Sequence, residues 1–299
     1  MRSRANLTTE KKNPISESID LKSTENILRI INSEDKCVAD AVKKAIPQIR
    51  ETVSYCVTAL KNGNRIFYVG AGTSGRLGVL DASEIPPTFS APSEWFTGII
   101  AGGDKALKRS VEGAEDISEN GIHDLKENGV SSGDIVIGIS TSGAAVYVQS
   151  ALTYSQQLGA KTSMIVCNSE PYYPVTVDSL IKVETGPEII TGSTRMKAGT
   201  ATKLVLNMIS TTTMIKLGKV YGNLMVDLMA VNEKLIDRGV RIITQLTKSD
   251  YETAREKLLE ADKSVKKAIV MILKKCTHQK AELELENAGG FLSKVLKEI

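Results

Sequence analysis

The stretch Arg65–Glu84, RIFYVGAGTSGRLGVLDASE, decides the fold of this 299-residue chain. Residues 65–69 are typical of a buried parallel strand, 70–75 supply glycine and hydroxyl side chains, and 76–84 have the pattern of a helix. The first turn of such a helix has free backbone N–H groups and carries the positive end of the helix dipole. The junction between strand and helix therefore predicts an anion-binding site.

The same alternation of strand and helix extends along the chain. Further strands are predicted at 95–101, 134–139, 161–167 and 179–183, with helices at 104–115 and 144–158 and a long helix at 38–60 that Pro47 interrupts. Ser23 is placed to cap an earlier helix, and Asp104 is placed to cap the helix at 104–115. This order predicts an α/β fold with a doubly wound, mostly parallel sheet, helices on both faces and right-handed crossovers.

The two ends of the chain differ from this central part. Residues 1–22 form a polar arm without the apolar segment of a signal peptide or membrane anchor, and we expect the arm to be mobile or draped over the protein. The segment 227–299 consists of short helical patterns separated by caps, which predicts a small all-helical domain. The α/β domain then spans 23–226.

Composition excludes several classes of function. Lysine and arginine exceed aspartate and glutamate by 38 to 35, without a basic block, so no nucleic-acid surface is indicated. The four cysteines, at 37, 56, 167 and 276, show no paired spacing and favour reduced thiols in a cytoplasmic protein. No stretch is apolar enough to cross a membrane, and two histidines are too few to favour a metal site.

Two loops of the predicted sheet have partly similar sequences. RIFYVGAGTSGR and DIVIGISTSGAA both pass from a strand through Thr-Ser-Gly into a helix, so two hydroxyl-lined helix N-termini are expected to face one crevice. A third cluster of hydroxyls lies within Thr191–Ser210, together with Arg195 and Lys197.

Several readings of these patterns remain open from the residues alone. Gly70, Gly72 and Gly75 match a dinucleotide fingerprint, but the next strand lacks the terminal acid that holds a ribose, and glycines packed into a tight turn are a further alternative. Glu84 lies before a proline pair that predicts a helix end, and VEGAED supplies Glu115 and two other acids. These carboxylates suit either acid–base catalysis or a solvated surface.

Four motifs narrow these alternatives. VGAGTSGRLGVLDASE, IAGGDKALKRSVEGAED, GISTSG and TGSTRMKAGTATKLVLNM, followed by KVYGNLMVDLMAVNEKL, closely resemble the family of N-acetylmuramic acid 6-phosphate etherases over almost the entire chain. The resemblance implies the sugar-isomerase (SIS) fold with a small C-terminal helical domain, and a reaction that needs neither metal nor organic cofactor. It further implies a small phosphosugar substrate, no nucleic-acid or membrane partner, and a homodimer.

The resemblance also assigns residues. It implies that Glu84 protonates the departing lactate and that Glu115 is the second catalytic carboxylate and candidate base. The substrate-binding residues that it implies are Thr73, Ser74, Ser140, Thr141 and Ser142, with Ser193, Arg195 and Lys197 completing the pocket in the same chain or from a partner subunit. Two other functions compete: a phosphosugar isomerase, which needs no acid at C3, and a non-catalytic phosphosugar sensor that binds a protein through its C-terminal helices.

Overall fold

The structure is a computed structural model that describes residues 4–297. Its strands are β1 Ile66–Gly70, β2 Phe96–Ile100, β3 Ile135–Ile139, β4 Lys161–Val166 and β5 Ser179–Lys182. The helices before β5 are α1 Thr24–Asp35, α2 Cys37–Lys44, α3 Ile46–Lys61, α4 Gly72–Phe89, α5 Lys105–Lys108, α6 Ser118–Glu127 and α7 Val146–Gln157. Those after it are α8 Lys197–Lys216, α9 Glu233–Thr247, α10 Tyr251–Glu260, α11 Val265–Lys274, α12 His278–Asn287 and α13 Leu292–Leu296. Among these helices, none combines the length and hydropathy that a membrane span requires.

The five strands form one parallel sheet in the order β2-β1-β3-β4-β5, which confirms the predicted α/β class. Ile66 pairs with Phe96 on one side and Ile135 on the other, so β1 lies between β2 and β3. All residues of β1 and β3 are buried. Strands that are buried on both faces consist of nearly continuous apolar residues, and for this reason both strands could be predicted from the sequence.

Helices cover both faces of this sheet. On one face a buried apolar cluster joins Phe67 and Val136 to Val148 and Leu152 of α7. On the other face Thr52 of α3 shares a hydrogen bond of 2.9 Å with Ser163 of β4. Because side chains alternate between the faces of a strand, neighbouring residues along each strand contact different helices. The sheet is therefore doubly wound, as predicted.

Two predicted helices differ in the structure. The helix at 38–60 is two helices, α2 and α3, and Pro47 lies in the first turn of the second, where its missing N–H has no partner to lose. The prediction of a helix at 104–115 is wrong after Lys108, because α5 ends there. The predicted cap is also wrong, since the Asp104 side chain makes no capping hydrogen bond. Within the rest of the predicted range, Gly113 lies in the left-handed region at φ 74°, a conformation that interrupts a helix.

The described chain separates into two compact units. The first contains residues up to Ser83 together with Glu94–Ser210, and it holds the whole sheet. The second contains Glu84–Ser93 and the chain from Thr211 onward. The boundaries 23–226 and 227–299 for the two domains stay a prediction.

The second unit is built around its own apolar core. Buried residues of α9, α10, α11 and α13, among them Val240, Leu258, Ile269 and Leu292, pack together with α12. Asp250 caps α10 by accepting a hydrogen bond of 2.8 Å from Thr253 N. Short helices that each bury one face and end at such caps form a packed bundle, in agreement with the expected all-helical C-terminal part.

The N-terminal arm is part of the first unit and forms a series of short 3-10 turns between Arg4 and Leu21. Leu7 and Thr9 are buried, although most of the arm is polar. Asn13 donates hydrogen bonds to Glu34 and to the carbonyl of Pro187, at 2.8 and 3.2 Å. Of the two sequence-based alternatives, the draped arm is the one observed.

Candidate active site

The strand order locates the site before any side chain is considered. The chain leaves β1 toward β2 on one side, while β3 follows on the other, so the order reverses between β1 and β3. In open parallel sheets, ligands bind beyond the carboxyl ends of the strands at such a switch point. A cavity of about 300 Å³ lies there, and residues that follow both strands line it.

The first wall is the loop after β1. Ala71, Gly72, Thr73 and Ser74 line the cavity, and α4 starts at Gly72. Gly72 has φ 53°, a conformation that favours glycine. The free N–H groups and positive dipole of the first turn of α4 are accordingly available at the cavity wall, as an anion site requires.

Close packing explains two other glycines of this loop. A Cβ atom on Gly70 would lie 2.7 Å from the backbone nitrogen of Gly75, and one on Gly75 would lie 2.6 Å from Ile100 Cγ1. Such distances exclude any side chain, so α4 can follow β1 this closely only with glycine at both positions. Close packing therefore explains Gly70 and Gly75, while anion binding by the residues between them stays a prediction.

The second wall is the loop after β3. Ser140, Thr141 and Ser142 line the same cavity, which confirms that the two Thr-Ser-Gly loops face one crevice. The loop is held by hydrogen bonds from Ser140 N to Ile165 O and from Cys167 N to Thr141 O, at 3.1 and 2.8 Å. Both bonds go to β4 or its end, so the neighbouring strand fixes the hydroxyl groups in place.

The two predicted catalytic glutamates are in different places. Glu115 lines the cavity from a 3-10 turn, Ala114–Asp116. Glu84 is exposed, belongs to the second unit, and is not among the residues that line this cavity. The predicted helix end at Glu84 is wrong, because α4 continues to Phe89 and its two prolines lie in the last turns.

The cluster at Thr191–Ser210 contributes differently from the prediction. Gly192, Thr194 and Gly199 line the cavity, whereas Ser193 and Arg195 do not. Lys197 is 2% exposed, its Nζ lies 2.7 Å from Glu34 Oε2, and it is not among the residues that line this cavity, so its sugar contact stays a prediction. A buried ammonium paired in this way is held by its partner carboxylate.

Two carboxylates fix the start of α8 beside the cavity. Glu188 accepts hydrogen bonds of 3.0 Å from the backbone N–H groups of Lys197 and Ala198. Burial raises the pKa of Glu188, and those two N–H groups offset part of the effect. Burial by itself also raises the pKa of Glu34, but hydrogen bonds from Lys197 and Asn13 outweigh burial and lower that pKa.

Comparison with known proteins adds a family to this geometry. A sequence model of the glucokinase regulatory protein N-terminal SIS domain matches residues 48–156. The chain is 48% identical to N-acetylmuramic acid 6-phosphate etherase of Clostridium beijerinckii, over 98% of this chain and 97% of that protein. It is 49% identical to N-acetylmuramic acid 6-phosphate etherase 1 of Bacillus licheniformis, over 97% of this chain and 95% of that protein. The chain belongs to the N-acetylmuramic acid 6-phosphate etherase family.

A solved structure is also similar to this etherase-family chain. It is a phosphoheptose isomerase from Neisseria gonorrhoeae, with a TM-score of 0.46 and 16% sequence identity. The alignment covers 63% of this chain and 98% of that chain.

In this member of the etherase family, sequence reasoning missed the N-terminal contribution to the site. Arg4, Leu7 and Glu10 of the arm line the cavity together with the two hydroxyl loops. Arg4 is the one lysine or arginine among the cavity-lining residues within the described range 4–297. The arm shows no helical or strand periodicity, so no sequence pattern connects it to a site that lies far along the chain.

Proposed function

We propose that this chain cleaves the lactyl ether of N-acetylmuramic acid 6-phosphate and releases N-acetylglucosamine 6-phosphate and D-lactate. The observation that carries the proposal is the identity of close to half of all residues with etherases over nearly their whole length. The cavity fits such a substrate, because hydroxyl groups, a helix N-terminus and a carboxylate meet there. The reaction belongs to amino-sugar catabolism and cell-wall recycling.

The proposed reaction is an elimination followed by an addition of water. In the open-chain sugar, the aldehyde at C1 acidifies the proton at C2. A base removes that proton, the C3–O bond breaks, and an acid protonates the departing lactate oxygen. Water then adds to the conjugated aldehyde, with hydroxyl at C3 and a proton at C2, so that the net change is hydrolysis of the ether.

Within this proposal, some of the residues that line the cavity bind the substrate and one of them acts as the base. Thr73, Ser74, Ser140, Thr141 and Ser142 bind the 6-phosphate and sugar hydroxyls through their side chains and the N–H groups of the first turn of α4. Glu115 is the candidate base at C2, and its place in the cavity wall supports that role. Gly199 approaches Thr73 closely enough that a Cβ atom there would lie 3.6 Å from Thr73 Cγ2, so the start of α8 packs against the phosphate loop.

The remaining assignments involve a second copy of the chain. We propose a homodimer in which Glu84 of one chain acts as the acid for lactate at the cavity of its partner, because Glu84 does not line the cavity of its own first unit. Ser193 and Arg195 are proposed to meet the substrate in the same assembly. A cytoplasmic location completes the proposal, and the free cysteines are consistent with it.

Release of D-lactate from N-acetylmuramic acid 6-phosphate tests the proposal directly. Turnover in heavy water should place deuterium at C2 of the sugar product, since the C2 proton is exchanged during elimination. The variant Glu115→Gln should lower kcat by roughly 10²- to 10⁴-fold, the usual contribution of a positioned acid or base. The matched control is Glu112→Gln, three residues earlier in the chain and outside this cavity, where Glu112 accepts a hydrogen bond from Ser110.

Two results would contradict this assignment. A sugar product without deuterium at C2 rules out the elimination, and wild-type turnover by Glu115→Gln removes Glu115 from the chemistry. Isomerisation of a phosphosugar without lactate release would instead identify an isomerase, and tight binding without turnover would identify a sensor.

A further inference from the structure

The N-terminal arm is attached to the site by one buried amide. Asn168, which is 1% exposed, follows β4, and its Oδ1 accepts hydrogen bonds from the backbone nitrogens of Thr8 and Thr9 at 2.8 and 3.4 Å. Its Nδ2 donates to Thr9 Oγ1 at 3.3 Å. Two consecutive N–H groups and a side chain of the arm thus share a single anchor.

The same amide also holds the second hydroxyl loop. Asn168 Nδ2 donates a hydrogen bond of 3.0 Å to the carbonyl of Thr141, in the middle of Ser140–Ser142. The arm and the loop are therefore fixed to each other through one side chain. A second attachment runs from Gly192 N to Thr9 O at 3.1 Å, which connects the arm to the wall that precedes α8.

These attachments place Arg4 at the cavity beside the loop. The Arg4 guanidinium carbon lies 5.5 Å from the centre of the Tyr172 ring, within the range of a cation–π contact. Tyr172 N in turn donates a hydrogen bond of 2.9 Å to Ser142 O. Leu7, which is 4% exposed, anchors the next turn of the arm by burial.

The carboxylates that line the cavity explain why a phosphate bound there requires a nearby cation. Glu10 and Glu115 both line it, and Arg4 is the single basic side chain on its wall among residues 4–297. A phosphate dianion placed near two carboxylates is repelled unless a positive charge lies close by. Hydroxyls and a helix N-terminus supply partial charges, whereas a guanidinium supplies a full charge and paired N–H donors that match a phosphate.

We propose that the arm is part of the substrate site and that Arg4 binds the phosphate of the sugar, which makes Arg4 a determinant of specificity for phosphorylated over unphosphorylated sugar. This inference rests on the proposed function insofar as the ligand is a phosphosugar. It adds a ligand-binding segment that lies outside the sheet and before the first helix.

Binding of N-acetylglucosamine 6-phosphate, measured by calorimetry, tests the proposal without any need for turnover. Arg4→Gln should weaken that binding by roughly 10- to 100-fold, the effect of losing hydrogen bonds to a charged group. Arg4→Lys should restore part of the affinity, because the charge remains while the paired donors are lost. Lys12→Gln is the matched control, since Lys12 is an exposed arm residue outside the cavity wall, and its affinity should equal that of the wild type.

Comparison with unphosphorylated N-acetylglucosamine identifies the group that Arg4 contacts. The preference of the wild-type protein for the phosphorylated sugar should shrink in Arg4→Gln. Unchanged affinity of Arg4→Gln for N-acetylglucosamine 6-phosphate overturns the proposal. So does a loss of affinity confined to N-acetylmuramic acid 6-phosphate, which would assign Arg4 to the lactyl carboxylate.

The outcome is separable from that of the proposed function. A protein that binds N-acetylglucosamine 6-phosphate through Arg4 but releases no lactate would refute the etherase activity and leave this inference standing. The thermal unfolding midpoint of Arg4→Gln should equal that of the wild type, because Arg4 is exposed. With equal midpoints, a loss of affinity results from the lost ligand contact and not from a destabilised fold.

Discussion

At the scale of single residues, Lys197 shows that the type of a residue does not by itself decide what the residue does. The sequence offers a lysine among hydroxyls, which suits a phosphosugar contact. In the structure, the chain buries this lysine against Glu34, a residue of α1 that is far away in sequence. Only the tertiary contact distinguishes a ligand-binding lysine from one that holds the start of a helix.

The pair of Glu34 and Lys197 leads to a prediction about stability and pH. Glu34→Gln should lower the free energy of unfolding at neutral pH by about 3 kcal/mol, because it leaves the buried Lys197 ammonium without its partner. The pKa of Glu34 is lowered in the folded protein, so the stability that its carboxylate contributes is present above the ordinary glutamate pKa. That contribution is lost as the pH falls through the lower, folded pKa.

Chemical denaturation over a series of pH values measures this effect. The difference between the wild type and Glu34→Gln should be largest near neutral pH and should narrow in acid, where the wild-type carboxyl is also uncharged. Glu25→Gln in the same helix is the control, because its ion pair with Arg29 is exposed on both sides and contributes little. A pH-independent difference, or one as small as that of the control, would contradict the prediction.

At the scale of elements, glycines set how closely helix α4 approaches the sheet. A Cβ atom on Gly98 of β2 would lie 2.5 Å from Val79 Cα, which is backbone and cannot rotate away. The sequence shows a glycine inside a predicted strand without indicating what lies over it. The contact exists only once α4 is folded onto β2, so the reason for a glycine at this position is visible only in the tertiary structure.

Gly98→Ala should therefore destabilise the fold by about 1–3 kcal/mol, the usual cost of overpacking. Gly199→Ala is the matched control within α8, because its Cβ atom would meet its nearest neighbour at 3.6 Å, an ordinary contact. Replacing a helical glycine by alanine stabilises by up to about 1 kcal/mol when space allows. Thermal unfolding of both variants should thus shift in opposite directions, and equal shifts would argue against close packing at Gly98.

At the scale of the whole molecule, we propose that two chains together form the active site. Glu115 lines the cavity and Glu84 does not, although the family resemblance assigns both to catalysis. Each single variant, Glu84→Gln or Glu115→Gln, should lose lactate release. If the two glutamates act from different chains, a mixture of the two variants should regain activity, because one site in each mixed dimer is intact.

The expected recovery follows from symmetry. Half of the dimers in an equal mixture contain one chain of each variant, and one of their two sites has both glutamates, so about a quarter of wild-type activity should return. Chains that are mixed after denaturation and refolding provide the measurement. A mixture as inactive as the separate variants would assign both glutamates to one chain, and a monomer in solution would remove the proposed homodimer.

The sequence by itself determined the parallel sheet, the two Thr-Ser-Gly loops and their shared crevice. Each of these follows from local physics: buried strands are apolar throughout, and a helix that begins with glycine and hydroxyl residues exposes its N–H groups. The family resemblance and the C-terminal helices were equally readable, since caps such as Asp250 act within one turn.

Only the tertiary structure decided the rest of the site. The arm reaches the cavity because Asn168 binds both the Thr8 backbone nitrogen and the Thr141 carbonyl, and Thr8 and Asn168 are 160 residues apart in the chain. Arg65–Glu84 likewise predicted an anion site at its start, whereas its far end, Glu84, is exposed on a helix that continues past it. Contacts between distant residues depend on how elements pack, and no local sequence pattern carries that information.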